Sequence, residues 1–111
     1  MTPTALIDLL VLGAELEPAR REGLLEDLSD LVLRHAGAQA WAYAREVADG
    51  AAYAAGRPMA KPHYRVHVTL PRAATAELQE RLAGEVALRV LRVERAYPEL
   101  DDLPRVAVSF A

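Results

Sequence analysis

The sequence contains no cysteine, which removes a disulfide scaffold, a thiol nucleophile and a cysteine-ligated zinc from consideration. Only three histidines remain as soft ligands, and no pair of them has the spacing of a helical metal site, so neither a metal nor a cofactor is expected. Basic charge is not in excess: 13 Lys and Arg stand against 16 Asp and Glu, for a net charge of −3. Without a cluster of Lys and Arg the chain lacks what displaces counterions from phosphate, and no nucleic-acid partner is expected. Long apolar runs are missing too. The longest near the start, Leu9 to Leu12, follows Asp8 and has no basic leader before it, too little for a signal peptide or a membrane span. No membrane partner and a cytoplasmic location are therefore expected.

What the sequence does have is 111 residues, 52% of them apolar and 26% charged, the composition of one globular domain and not of a disordered chain. Leu6 to Leu12 is apolar but for Asp8, the length of a strand, and stops at Gly13. Glu17-Pro18 reads as a helix entry, because proline loses nothing at the first helical position. Leu24, Leu25, Leu28, Leu31 and Val32 then recur on one helical face, and Gly37 closes the helix after Arg34 and His35, which suit its dipole. Trp41, Tyr43, Arg45 and Val47 alternate with small residues as a second strand. The Ala-rich span between Gly50 and Gly56 predicts a small hairpin or loop. From Tyr64 to Leu70 another strand carries Tyr64, Val66, Val68 and Leu70 on one side and Arg65, His67 and Thr69 on the other. Thr75 can cap a second helix carrying Leu78, Leu82, Val86 and Val90 to about Arg95, and Arg105 to Phe110 is a last short strand.

The order strand, helix, strand is thus repeated. An offset of 58 sets Leu24 on Leu82, Leu28 on Val86 and Val32 on Val90, and an offset of 59 sets Ile7 on Val66 and Leu9 on Val68. This is an internal duplication, with repeat one over about 1–58 and repeat two over about 59–111 of a single domain, 1–111. A crossover through a helix makes the two strands of each repeat parallel and puts both helices on one face of the sheet. Two helices cannot cover both faces, so the other face is expected to pack on further copies of the chain.

The stretches Ala5–Leu10, Ala19–Leu28 with Leu33–Gly37, Trp41–Gly50 with Gly56–Pro58, Tyr64–Pro71 and Arg81–Val86 together resemble the tautomerase superfamily. The resemblance is to its fused members, which carry two copies of the short 4-oxalocrotonate tautomerase unit. It implies an α+β fold of two strand-helix-strand units about a pseudo-twofold, assembled as a homotrimer, and enol-keto chemistry on small organic acids. That chemistry uses an N-terminal proline, whose secondary amine becomes a base near neutrality once desolvation and nearby cations lower its pKa. Here Ala5 falls at the proline position, and Pro3 is an amide within Met1-Thr2-Pro3-Thr4. Glu15, Trp41 and Ala52 stand where simple members have two anion-binding arginines and an aromatic, and a carboxylate there repels dicarboxylic acids.

The remaining candidates for chemistry are Arg72, His67 and Arg65 from the second repeat as catalytic residues, and Trp41, Tyr43 and Arg45 as substrate-binding residues. Arg72, just past Pro71, can clamp a carboxylate or be a solvated strand-end cation. His67 reads as a base or, more simply, as a hydrogen-bonded structural residue. Trp41 and Tyr43 can floor a pocket or pack across a subunit contact. Arg45-Glu46 is expected to form an intersubunit ion pair, Tyr64 to lie in the core or an interface, His63 to be exposed, and the helix charges to be solvated. The function expected is a tautomerase-fold protein with absent or weak enol-keto activity that binds a small 2-oxo acid. The alternative is a non-catalytic structural or partner subunit, in a homotrimer or a mixed trimer.

Overall fold

The computed structural model describes residues 4–13, 15–47, 53–54, 56–58, 62–93 and 105–111. Strand β1 spans Ala5–Leu12, helix α1 Pro18–Ala36 and strand β2 Ala40–Val47. The short strands β3 (Tyr53–Ala54) and β4 (Arg57–Pro58) pair antiparallel around Gly56, whose φ of 77° the turn requires. Strand β5 (His63–Thr69), helix α2 (Ala76–Val93) and strand β6 (Arg105–Phe110) complete the chain. The four long strands form one sheet in the order β2-β1-β5-β6. β1 and β2 are parallel, as are β5 and β6, and β1 meets β5 antiparallel at the centre. The parallel pairing within each βαβ unit is what the crossover argument requires, and the two units meet antiparallel at the seam between their leading strands.

Local chemistry sets the ends of the helices. Glu17 is extended and makes no side-chain cap, so Pro18 opens α1 through its fixed φ alone. At the other end Gly37 takes the left-handed conformation, φ 68°, and its N–H bonds the Leu33 carbonyl. α2 uses a side chain instead, the Thr75 hydroxyl accepting the Leu78 N–H at 3.1 Å.

Both helices lie on one face of the sheet. Ile7, Leu9 and Val11 of β1 and Tyr64, Val66 and Val68 of β5 point to that face and meet Leu24, Leu28 and Val32 of α1 and Leu82, Val86 and Val90 of α2. Each of these side chains is fully buried, and burial of one such group stabilises the fold by about 1.5–3 kcal/mol. The two offsets read from the sequence explain the match: one residue more between the strands than between the helices keeps apolar positions on the same face in both units. Tyr64 belongs to this core.

Several expectations are corrected. Neighbours on a strand point to opposite faces, so Arg45 and Glu46 do not act together. Within the chain Arg45 pairs with Asp8, and Glu46 with Arg21 at 3.3 Å. The helix charges are not all solvated, since Arg89 of α2 binds Asp27 of α1 and ties the helices together. His63 is half-buried where exposure was expected. The expectations for Gly50, Ala52 and Arg95 fall outside the described residues. Among the described residues no helix is long and apolar enough to cross a membrane.

Candidate functional site

A cleft of about 490 Å³ opens at the head of β1. Its walls come from Thr4, from Ala36, Gly37 and Ala38 at the end of α1, from Leu70 to Ala74 after β5, and from Thr75 and Leu78 at the start of α2. The topology explains the meeting: because β1 and β5 run antiparallel, the head of β1 lies beside the end of β5, and the turn into α2 follows there. A single carbonyl, Gln39, accepts the N–H groups of both Thr4 and Ala5 at 2.9 Å, which fixes the entry of β1 against the turn after α1. Ala5 itself is buried, at 2% exposure, with its nitrogen an amide donor.

Arg72 is the one charged side chain among the described residues of this cleft, and the remainder are small, apolar or hydroxyl-bearing. No carboxylate or imidazole lines it among those residues. Such a site can hold an anion by charge and its carbon skeleton by apolar contact. It offers no side-chain base of ordinary pKa.

The other candidates lie elsewhere. Arg65 and His67 of β5 and Trp41, Tyr43 and Arg45 of β2 all stand on the face of the sheet that the helices leave open. The register sets Tyr43, Asp8, His67 and Ser109 in one row across four strands, and Arg45, Leu10, Arg65 and Ala107 in the next. Arg45 grips Asp8 in a two-pronged pair, Nε to Oδ1 at 3.2 Å and Nη2 to Oδ2 at 2.8 Å. Tyr43 stands beside Asp8 in the register, and partial loss of hydration, reinforced by Asp8 as acceptor and charge and opposed by Arg45, raises the phenol above its usual 10.0. Nδ1 of His67 lies 2.7 Å from the Ser109 hydroxyl. His63, at the end of the same face, has its pKa lowered from 6.5, first by burial and then by the charges of Arg65 and Arg105. Trp41 is 61% exposed on this face.

The structure therefore separates Arg72 from the other five candidates. Sequence reading missed Asp8, the carboxylate at the centre of the open face, and Thr4 with Ala36–Ala38 at the cleft. The signal for Asp8 was available, since it alternates with Leu6 and Leu10 and so must share their face. Among the described residues no group of histidines and carboxylates could hold a metal ion.

No family model matches the sequence, and no curated protein does. Solved structures match over nearly the whole chain. Pt0534, solved as inactivated by 2-oxo-3-pentynoate, superimposes with a TM-score of 0.74 at 18% identity, covering 96% of this chain and 85% of its own. A fused 4-OT, Q0, described as a symmetric trimer, gives a TM-score of 0.68 at 24% identity, covering 96% and 85%. These are members of the tautomerase superfamily. The chain carries the tautomerase fold. The breadth of that fold is visible in a third match, macrophage migration inhibitory factor of Toxoplasma gondii, with a TM-score of 0.70, 14% identity and 94% and 87% coverage. In tautomerase-fold terms the two βαβ units and the open sheet face of this chain are the regular architecture, with Ala5 at the head of the first strand.

Proposed function

We propose that this chain binds a small 2-oxo acid in the cleft at the head of β1, with Arg72 holding the carboxylate and with enol-keto activity absent or weak. One observation carries the reading: the cleft joins Arg72 to Thr4, next to Ala5, within a single chain. Support for the ligand class comes from a protein of the same fold that is inactivated by 2-oxo-3-pentynoate. Support for low activity comes from the nitrogen of Ala5, an amide that donates to Gln39, and from the lack of a carboxylate or imidazole among the described lining residues. An amide nitrogen cannot take a proton near neutral pH, so among the described residues this binding site has no base.

The chain assembles in this reading as a homotrimer of two repeats, about 1–58 and 59–111, through the open sheet face. Exposed Trp41, Tyr43 and Leu6 stand on that face, and the fold's fused 4-OT structure is a symmetric trimer. A second reading, a non-catalytic subunit of a mixed trimer, is favoured by the same missing base.

The test is a titration of the purified chain with small 2-oxo acids, alongside a ketonisation assay with phenylenolpyruvate and 2-hydroxymuconate and sedimentation of the free protein. Saturable binding by a trimer, weakened about tenfold or more in Arg72→Gln, with little turnover, is the expected outcome. Turnover at the rate of proline-bearing relatives would overturn it. A monomer that binds no 2-oxo acid would favour the second reading.

A further inference from the structure

The open face of the sheet carries a charge that the chain as a whole does not. The protein is acidic, with a net charge of −3, yet the described residues of this face hold three arginines, Arg45, Arg65 and Arg105, against the single carboxylate of Asp8. The pKa of His63 is lowered first by burial, and the charges of Arg65 and Arg105 add to that shift in the same direction. The charge is concentrated in a hollow of about 280 Å³ lined by Asp8, Leu10, Arg45, Arg65, His67 and Ser109.

The register says how this hollow is built. Leu10 of β1 faces Arg45 on β2 and Arg65 on β5, so the two guanidinium groups rise from strands on either side of one apolar floor, with backbones about 9–10 Å apart. Asp8 is already neutralised by Arg45, which spends two of its five N–H donors on it and keeps the others. Among the described residues Arg65 has no carboxylate partner. His67 is held by Ser109 through Nδ1, which leaves Nε2 as its second polar atom. The hollow is therefore an unbalanced cluster of donors around a site large enough for a small ion with several waters, each water's share being about 30 Å³.

We propose that this hollow is a binding site for a dianionic oxyanion, with phosphate as the natural probe, distinct from the 2-oxo acid cleft. Arg65 supplies the uncommitted charge, Arg45 its outer N–H groups, and His67 and Ser109 the further polar contacts. The site stands on the face by which copies are proposed to meet, so an anion there also relieves the repulsion between like faces. The donors it uses all belong to one chain.

Phosphate that binds only the folded protein raises its unfolding temperature in a saturable way. The experiment follows thermal unfolding against phosphate concentration, at constant ionic strength made up with chloride, with equilibrium dialysis against labelled phosphate beside it. The wild-type chain is expected to gain several degrees and to bind phosphate saturably. Arg65→Gln should keep only the general salting-out increment that phosphate gives any protein, with affinity lower by about tenfold or more. Arg65→Lys should restore part of the gain, and Arg72→Gln should keep all of it. An equal gain in wild type and Arg65→Gln, no saturable binding in dialysis, or a gain lost in Arg72→Gln would each overturn the proposal. The last would move the anion to the cleft.

Discussion

The two faces of the central sheet are built from alternate residues of the same four strands and have opposite chemistry. Under the helices, Ile7, Leu9, Tyr64, Val66 and Val68 are sealed from water, and the order of that face comes from packing. On the other side Asp8, Arg45, Tyr43, His67 and Ser109 are held by directional hydrogen bonds and charge, with exposed Trp41 beside them. The first face gives the chain its stability. The second holds specific groups in place without contributing much to folding, because exposed ion pairs are screened by water. A protein with one face of each kind can change what it binds or assembles with while its core stays the same.

Substitutions on the two faces should separate these roles. Leu9→Ala, which opens a cavity among fully buried side chains, is expected to cost about 2–5 kcal/mol in urea unfolding, and Leu10→Ala, one residue along on the other face, clearly less. Equal losses would mean that both faces are core in the free chain. In the free chain Asp8→Ala should cost far less than Leu9→Ala, since Arg45 is largely exposed and can return to water. A comparable loss would show that the open face is already desolvated.

The smallest effect is the pH response of His63. Its pKa is lowered in the folded chain, so the neutral ring is favoured there; the stability it contributes is present above 6.5 and is lost as pH falls through that value and below. Wild type should therefore lose slightly more stability than His63→Gln between about pH 7 and pH 5, read from paired urea midpoints. An identical slope in the two proteins would place His63 in bulk water.

Much of the fold was legible because it rests on local chemistry. Pro18, Gly37 and Thr75 mark helix ends by their own backbone and side-chain properties, and the apolar spacing from Leu24 to Val32 needs no partner to be read. Parallel pairing within each unit and one uncovered face followed from the order of elements alone. The ion pairs were not legible. Asp8 and Arg45, Arg21 and Glu46, and Asp27 and Arg89 are each far apart in sequence, and their meeting depends on strand register and helix packing that no local pattern encodes. The candidate site was half legible for the same reason. Arg72 is marked by Pro71, but its grouping with Thr4 and the end of α1 exists only once the central strands run antiparallel. His67 and Arg65 share a strand with its approach and were grouped with it, although their side chains turn to the opposite side of the sheet from the helices.

The Gln39 carbonyl that receives both Thr4 and Ala5 has a consequence for how such a cleft changes over time. Every residue but proline carries the N–H that such a bond needs, so most substitutions nearby leave this anchor of the β1 entry in place. Residues at the rim can then be exchanged one at a time, altering which molecule is accepted or whether it reacts, without rebuilding the cavity beneath. Loss of a reactive group at such a place leaves an intact receptacle, and a receptacle is available for a new occupant.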